Sequence, residues 1–567
     1  MSPIAKVSHL VLGRFPSPGV SPIADAIRVR RGKRGLTPLD GNLLHVPPIA
    51  EGWNSLLGAI RTKGALPGDV RELMILRVAA INSAAFEWIH HEPVGRSHGL
   101  TTAQLYIIRD TTTPLPPAKG VLNALQTSAL RFADASTRTV KVPPEITSDL
   151  QRDLLDWVHT TNRQANDTPT DGASEKDKMQ DLFVEAAAVV AAYNMVSRFL
   201  ISTDVAGLSD DEVPWPVERK EHFIPIPSTD TPTESSHTIH ALTFTSSPTA
   251  SWIVFANSLL TDLSMWGLII PYLIPTYNIL LHSQRGHGRS TVPHTENTTI
   301  PLLAHDIAHL IHALRIPTPI HALIGVSQGG AAALAFSALS TFFPNSLPTP
   351  TPTVKSIIAC DTSAVTPAGN TSAWEQRASL VFGTPISFCS PDSSISAAHD
   401  DHADHGGMAS LATITVPRWF PPGSPLNVAS NPKSNTEHQP ERRAFITSLI
   451  ENTPPRGFLA GAKALAGYDL INAQGTPKNG SIFGASEIRD DETQQPLKVL
   501  LLAGSLDGAG RVGDGLEALS KRWNGEEGTN KKKVEVQYAR VEGAGHLPMV
   551  DRPEQWWDVV GPFLAKV

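Results

Sequence analysis

Ile320-His321-Ala322-Leu323-Ile324-Gly325-Val326-Ser327-Gln328-Gly329-Gly330-Ala331-Ala332-Ala333-Leu334 reads in three parts. Its first five residues form an apolar run of strand length, and its last six are small residues that open a helix. Between them lies Gly-x-Ser-x-Gly. A hydroxyl nucleophile has to be exposed, held stiffly and set beside a base. A tight strand-to-helix turn supplies that setting, and small flanking residues let its strained backbone pack closely. The stretch selects Ser327 as a nucleophile.

Working outward, short β-branched runs alternate with helical stretches. Strands are predicted at Thr238–Phe244, Ser251–Ala256, Asn278–Leu281, Ile320–Ile324, Val354–Ala359, Lys498–Leu502 and Val534–Arg540. This alternation predicts a mostly parallel sheet covered on both faces. An acid and a histidine should follow the serine in the chain. Asp507 lies just beyond one late strand, and His546 follows the last one. His546 would take the proton from Ser327, and Asp507 would orient His546 and stabilise its charged form. Asp361, at the end of the strand after the turn, is the competing acid; chain order favours Asp507. Two backbone N–H donors are needed for the oxyanion. Gln328 supplies one, and Leu259, in the loop after Ser251–Ala256, is the candidate for the other.

The first 205 residues differ. Ala/Leu-rich stretches such as Arg71–Ile81, with Leu73, Leu76, Val78 and Ala80 mostly on one face, and Leu182–Leu200 carry helical spacing. The region is read as all-helical. Residues 206–236 hold Pro214, Pro216, Pro225, Pro227 and Pro232 and are read as a linker. The second domain then spans 237–567, with a cap at about 365–470 and polar surface loops at 344–353, 384–406, 421–442, 472–495 and 524–533. His399, Asp400, Asp401, His402, Asp404 and His405 lie in one of these and are read as a polar loop, not a metal site. The net charge of −7 gives no reason to expect nucleic acid or an anionic membrane as partner. Two cysteines exclude a disulfide framework, and no apolar run has the length of a membrane helix, so a cytoplasmic location is expected.

Further residues carry a resemblance. Asn257-Ser258-Leu259-Leu260-Thr261-Asp262-Leu263-Ser264-Met265-Trp266, Arg285-Gly286-His287-Gly288-Arg289-Ser290, Gly504-Ser505-Leu506-Asp507 and Gly545-His546 resemble 3-oxoadipate enol-lactonases of the α/β-hydrolase fold. So do Trp374-Glu375-Gln376-Arg377, Gly407-Met408-Ala409, Arg418-Trp419-Phe420 and Gly457–Leu470. The resemblance implies a helical cap, a Ser-His-Asp hydrolase acting on a small anionic lactone, and substrate contacts from Ser258, Trp374 and Trp419. Leu260 replaces a glycine usual in the oxyanion loop.

In the first half, Leu43–Trp53, Leu66–Asn82, Phe86–Leu100 and Tyr193-Asn194-Met195 resemble the carboxymuconolactone decarboxylase family, which has an AhpD-like helical fold. Glu87 and His91, four apart, share one helical face and can hydrogen-bond; on spacing alone a solvated helix pair is the plainer reading. Ala84-Ala85-Phe86-Glu87 stands where AhpD-like redox proteins carry Cys-x-x-Cys, so thiol redox chemistry is excluded from this domain. The resemblance implies a cofactor-free decarboxylase with His91 delivering a proton, Glu87 setting its charge, and Arg71 or Arg77 clamping carboxylates. It also implies a homo-oligomer through the helical domain. Together the resemblances imply consecutive steps of aromatic catabolism. A serine esterase of other specificity with a non-catalytic helical module stays open, as does the choice between 3-carboxy and 4-carboxy substrates.

Overall fold

The computed structural model describes residues 10–115, 118–165, 174–227, 235–292, 298–388, 406–427, 440–472, 496–525 and 534–567. The His/Asp cluster at 399–405 and Cys389 lie outside them. The chain folds as two compact units, Met1–Pro216 and Val217–Val567.

The first unit is all-helical among its described residues: α1 (Pro22–Arg31), α2 (Pro38–Leu43), α3 (Pro47–Thr62), α4 (Gly68–Ile81), α5 (Ala85–Ser97), α6 (Thr102–Arg109), α7 (Ala124–Thr139), α8 (Pro144–Ala165) and α9 (Glu175–Ser202). Capping boxes at Thr37, Thr101, Asn123 and Ser174 start α2, α6, α7 and α9 by satisfying amides that have no intrahelical partner. The sequence predicts one buried face on α4. Instead every residue from Val70 to Ala80 is buried, because α5, α6, α7 and α9 all pack around it. α9 is long and apolar enough by composition to cross a bilayer, yet Leu182, Ala186, Val189, Val190, Tyr193 and Leu200 are buried within the unit.

Arg77 is corrected here from clamp to structural residue. Its side chain is 1% exposed, and its Nη1 donates to the carbonyls of Ile107, Ile108 and Asp110 at 3.3, 2.9 and 2.6 Å. Its Nε donates to Asp134 at 2.9 Å. A guanidinium so buried and so engaged is not presented to a ligand.

The second unit centres on an eight-stranded sheet. In chain order come β1 (Glu218–Pro227), β2 (Ser235–Thr245), β3 (Trp252–Ala256), α10 (Ile270–Leu273), β4 (Asn278–His282), α11 (Ile300–Ala313), β5 (Ile320–Val326), α12 (Gln328–Phe336), α13 (Leu339–Phe342) and β6 (Val354–Cys360). Between β6 and the next strand lie the cap helices α14 (Asn370–Phe382), α15 (Gly406–Trp419), α16 (Pro440–Glu451) and α17 (Pro455–Ala466). β7 (Leu497–Gly504), α18 (Arg511–Gly525), β8 (Val534–Val541), α19 (Pro548–Asp551) and α20 (Pro553–Leu564) close the chain. The strand order is β1-β2-β4-β3-β5-β6-β7-β8, antiparallel through β1, β2 and β4 and parallel from β4 to β8.

β1 was not foreseen; it falls in the stretch read as a linker. Its prolines and charges suit an edge strand, where one side needs no ladder donors and charge blocks further pairing. Of its ten residues only Ile226 is buried.

Arg77→Met should destabilise the helical unit by about 3–5 kcal/mol, since Asp134 and three carbonyls lose their donor. Thermal denaturation followed by circular dichroism checks this; an unchanged melting profile would contradict it.

Candidate active sites

At the turn after β5, Ser327 has φ 54° and ψ −117°. A non-glycine residue in that region stores about 1–3 kcal/mol of strain. The neighbours hold it there. Ser327 N–H donates to Cys360 O at 2.8 Å, and Thr362 Oγ1 donates to the Ser327 carbonyl at 2.7 Å. A Cβ on Gly325 would lie 2.1 Å from Gly329 O, and one on Gly329 would lie 2.1 Å from Ala256 O. Both positions therefore demand glycine. From Ala322 to Phe336 every residue is buried except Ser327, which is half-buried.

The carboxyl ends of β7 and β8 bring in the other two groups. His546 Nδ1 lies 2.8 Å from Asp507 Oδ2. His546 N–H donates to Trp419 O at 2.8 Å, and the two rings stack with centroids 5.5 Å apart. Burial pushes the Asp507 carboxyl up, but His546 and then Arg418 outweigh it and hold Asp507 below the usual carboxylate range. The Ser327 hydroxyl makes no hydrogen bond among the described residues in this resting geometry.

The loop after β3 carries the oxyanion candidate. Leu260 has φ 69°, the left-handed region that favours glycine. This explains the glycine for which it substitutes. Its amide donates to His287 Nε2 at 3.2 Å, and His287 Nδ1 lies 3.1 Å from Arg285 O. A carbonyl only accepts, so His287 carries its proton on Nδ1 and is neutral; burial pulls its pKa down to about 4. Arg285 is itself fixed by two bonds to buried Asp306, at 2.9 and 2.6 Å. The amides of Leu259 and Gln328 donate to no protein group among the described residues, which leaves both free for an oxyanion. Gln328 Nε2 donates to Gly461 O at 2.7 Å, tying α17 over the elbow. Ser258 is fully buried, and its hydroxyl donates to Leu259 O at 3.1 Å.

In the cap, Trp374 is buried 6.2 Å from Phe458. Arg377 and Arg418 lie over its ring at 4.5 and 5.9 Å. With Ala373, Gln376 and Ile414 they line a cavity of about 300 Å³. Neither guanidinium makes a direct ion pair among the described residues, although the charge of Arg418 acts on Asp507. Arg418 keeps an exposed edge yet is hemmed in by protein; that desolvation, and then the Arg377 charge, pull its pKa down to about 10.

The helical unit has its own cavity of about 210 Å³, lined among others by Arg31, Arg34, Arg61, Arg71, Glu72, Glu87, His91 and His98. The expected Glu87–His91 pair does not form. His91 Nδ1 bonds Glu72 Oε2 at 2.7 Å, across from α5 to α4. Its Nε2 lies 3.2 Å from Tyr193 OH, which accepts from Arg61 Nε at 2.7 Å. Burial holds His91 below its ordinary pKa. Its Nδ1–H serves Glu72 and its Nε2 accepts from Tyr193, so His91 is not a free proton donor. Glu87 is 2% exposed instead beside Ser197, whose Oγ lies 2.9 Å from Glu87 Oε2 and 2.9 Å from Tyr193 O. Its Oε1 has no partner among the described residues, and burial raises its pKa well above the ordinary value. Arg71 lines the cavity, 3.4 Å from His98 and 3.5 Å from Glu72. Glu72, Arg61 and Tyr193 were missed; Glu72 and Tyr193 stood inside quoted motifs, whereas nothing in the sequence marks Arg61.

Two family models match the chain: the alpha/beta hydrolase family over residues 253–559 and the carboxymuconolactone decarboxylase family over residues 47–126. The chain is similar to 3-oxoadipate enol-lactonase 1 of Acinetobacter baylyi, with 24% identity over 56% of this chain and 89% of that protein. It is similar to 3-oxoadipate enol-lactonase 2 of the same organism, with 26% identity over 46% of this chain and 74% of that one. Among solved structures, the enol-lactonase from Burkholderia xenovorans LB400 superposes with a TM-score of 0.40 at 22% identity, covering 58% of this chain and 97% of that one. The chain belongs to the alpha/beta hydrolase family through its C-terminal unit and carries a carboxymuconolactone decarboxylase family domain in its N-terminal unit.

Proposed function

We propose that the chain is bifunctional, decarboxylating a carboxymuconolactone in its helical unit and opening the resulting enol-lactone at Ser327. The observation that carries the hydrolase reading is the 2.8 Å His546–Asp507 bond at the same sheet edge as the strained Ser327. Ser327 Oγ attacks the lactone carbonyl while His546 takes its proton and Asp507 stabilises the imidazolium. The amides of Leu259 and Gln328 receive the oxyanion. Collapse expels the ring oxygen as an enol, protonated by His546, which then becomes a ketone. Water, activated by His546, releases the acid from Ser327. Arg377 and Arg418 hold the carboxylate that the lactone retains.

The decarboxylase reading rests on a cavity lined by arginines that contains one acid of raised pKa. Arg34, Arg61 and Arg71 favour an anion, while Arg31 is held by Asp40. Departure of CO2 leaves an electron pair that the conjugated lactone delocalises. Glu87 delivers the proton to carbon and is reprotonated from water, so one proton is consumed per CO2 released. The His91–Glu72 pair, with Tyr193 and Arg61, fixes the cavity wall. This assignment moves the donor role from His91 to Glu87.

Ser327→Ala should abolish lactone opening and leave CO2 release from carboxymuconolactone intact. Glu87→Gln should do the reverse, cutting CO2 release by about a hundredfold or more. Separate assays of each step decide; CO2 release at the wild-type rate in both Glu87→Gln and His91→Ala would remove the decarboxylase from the helical unit and leave it a non-catalytic module.

Because Glu87 acts as an acid, decarboxylation should be full below its raised pKa and fall as pH rises through it. A rate that instead rises with pH across that range would contradict the assignment. Replacing both Arg377 and Arg418 by Ala should raise KM for the anionic lactone by about tenfold or more, with little effect on a neutral ester. Equal losses on both substrates would show that the pair is not an anion seat.

A further inference from the structure

Asp361 ends β6 beside the catalytic pair, and the mechanism above does not use it. It is buried, with φ 44°, and its N–H donates to Leu502 O at 2.8 Å. Its Oδ1 accepts from Gly504 N at 2.8 Å. Its Oδ2 has no N–H or O–H donor among the described residues. Ligand-type atoms of Asp361, Asp507 and His546 all lie within 4.8 Å of one another. The two carboxyls are therefore close neighbours, with an oxygen of each within 4.8 Å of the other. Two carboxylate oxygens in that relation repel unless a proton lies between them.

The surroundings say which acid keeps the proton. Asp507 faces the imidazole of His546 from the loop after β8 and the charge of Arg418 from α15. Asp361 faces the acids Asp507 and Asp551 and lies near the imidazole of His546, which is already bonded to Asp507. Asp551, on α19, is itself occupied by Gly545 N–H at 2.7 Å and Ser424 Oγ at 2.7 Å.

We propose that Asp361 is a neutral carboxylic acid that donates a hydrogen bond to Asp507, making it a positioning residue of the hydrolase. This rests on the Ser327–His546–Asp507 reading. The bond fixes the Asp507 carboxylate so that its other oxygen meets His546 Nδ1. It also draws off part of the Asp507 charge. The imidazolium formed when His546 takes the Ser327 proton is therefore acidic enough to pass that proton to the leaving oxygen. The sequence presents Asp361 and Asp507 as rivals for one role; the structure gives them two.

The test uses the full chain and the enol-lactone. Asp361→Leu removes the donor and should lower kcat by about tenfold or more. With the Asp507 charge undiluted, the acid limb of kcat/KM should move up by about one pH unit. Asp361→Asn can accept from Gly504 and donate to Asp507, so it should recover most of the rate and return the limb. The infrared difference between wild type and the Asp361→Asn variant at neutral pH should contain the carbonyl band of a protonated carboxylic acid.

An Asp361→Asn loss as deep as that of Asp507→Asn, about 10³–10⁴-fold, would overturn the proposal, because Asp361 would then be the ionised acid. So would a missing infrared band, or an Asp361→Leu enzyme identical to wild type in rate and limb. If Asp361→Leu fails to fold by circular dichroism, the infrared band and the Asp361→Asn rate decide alone. Hydrolysis surviving in Ser327→Ala would sink the triad reading, while the infrared result would still report where the proton sits.

Discussion

A serine forced to φ 54° has to be held there by everything around it, and much of the hydrolase unit is built to that requirement. Three strands meet at the elbow: β5 delivers Ser327, β3 supplies the carbonyl that excludes a side chain at Gly329, and β6 accepts the Ser327 amide. With the serine so placed, the groups that must serve it follow from the parallel sheet. Each loop leaving a carboxyl end arrives at the same edge. The cap is tied to this point as well, through Gln328 and Gly461 over the elbow and through Trp419 against His546.

A second strained position lies in the oxyanion loop. Leu260 adopts a glycine-like backbone angle, and His287 receives its amide. His287 is held in one tautomer by the carbonyl of Arg285, which is in turn clamped by Asp306. A chain of buried polar contacts thus stabilises a conformation that the residue type opposes, and it leaves the neighbouring Leu259 amide free.

The parts legible in the sequence were those set by local pattern. The seven predicted strands appear because each is a short apolar run, and the elbow could be read because glycine is sterically obligatory there. What escaped depended on contacts distant in the chain. β1 looked like a linker because prolines and charges suit both a linker and a sheet edge. Glu87 and His91 had ideal helical spacing for a pair, yet Glu87 turned to Ser197, and Glu72, nineteen residues before His91, took the imidazole. Arg77 sat in a motif with spare charge, but three carbonyls and Asp134 claimed it. Helical periodicity says which residues share a face and is silent about what the next helix presents to it.

The two cavities share a chemical preference. Both are lined by arginines. The most direct measurement is a time course of the full chain with each carboxymuconolactone isomer, followed by nuclear magnetic resonance. The account predicts that, for one isomer, enol-lactone appears after loss of the carboxyl and then gives way to 3-oxoadipate. Two unchanged lactones, or a ring-opened product that still carries the carboxyl group, would contradict it.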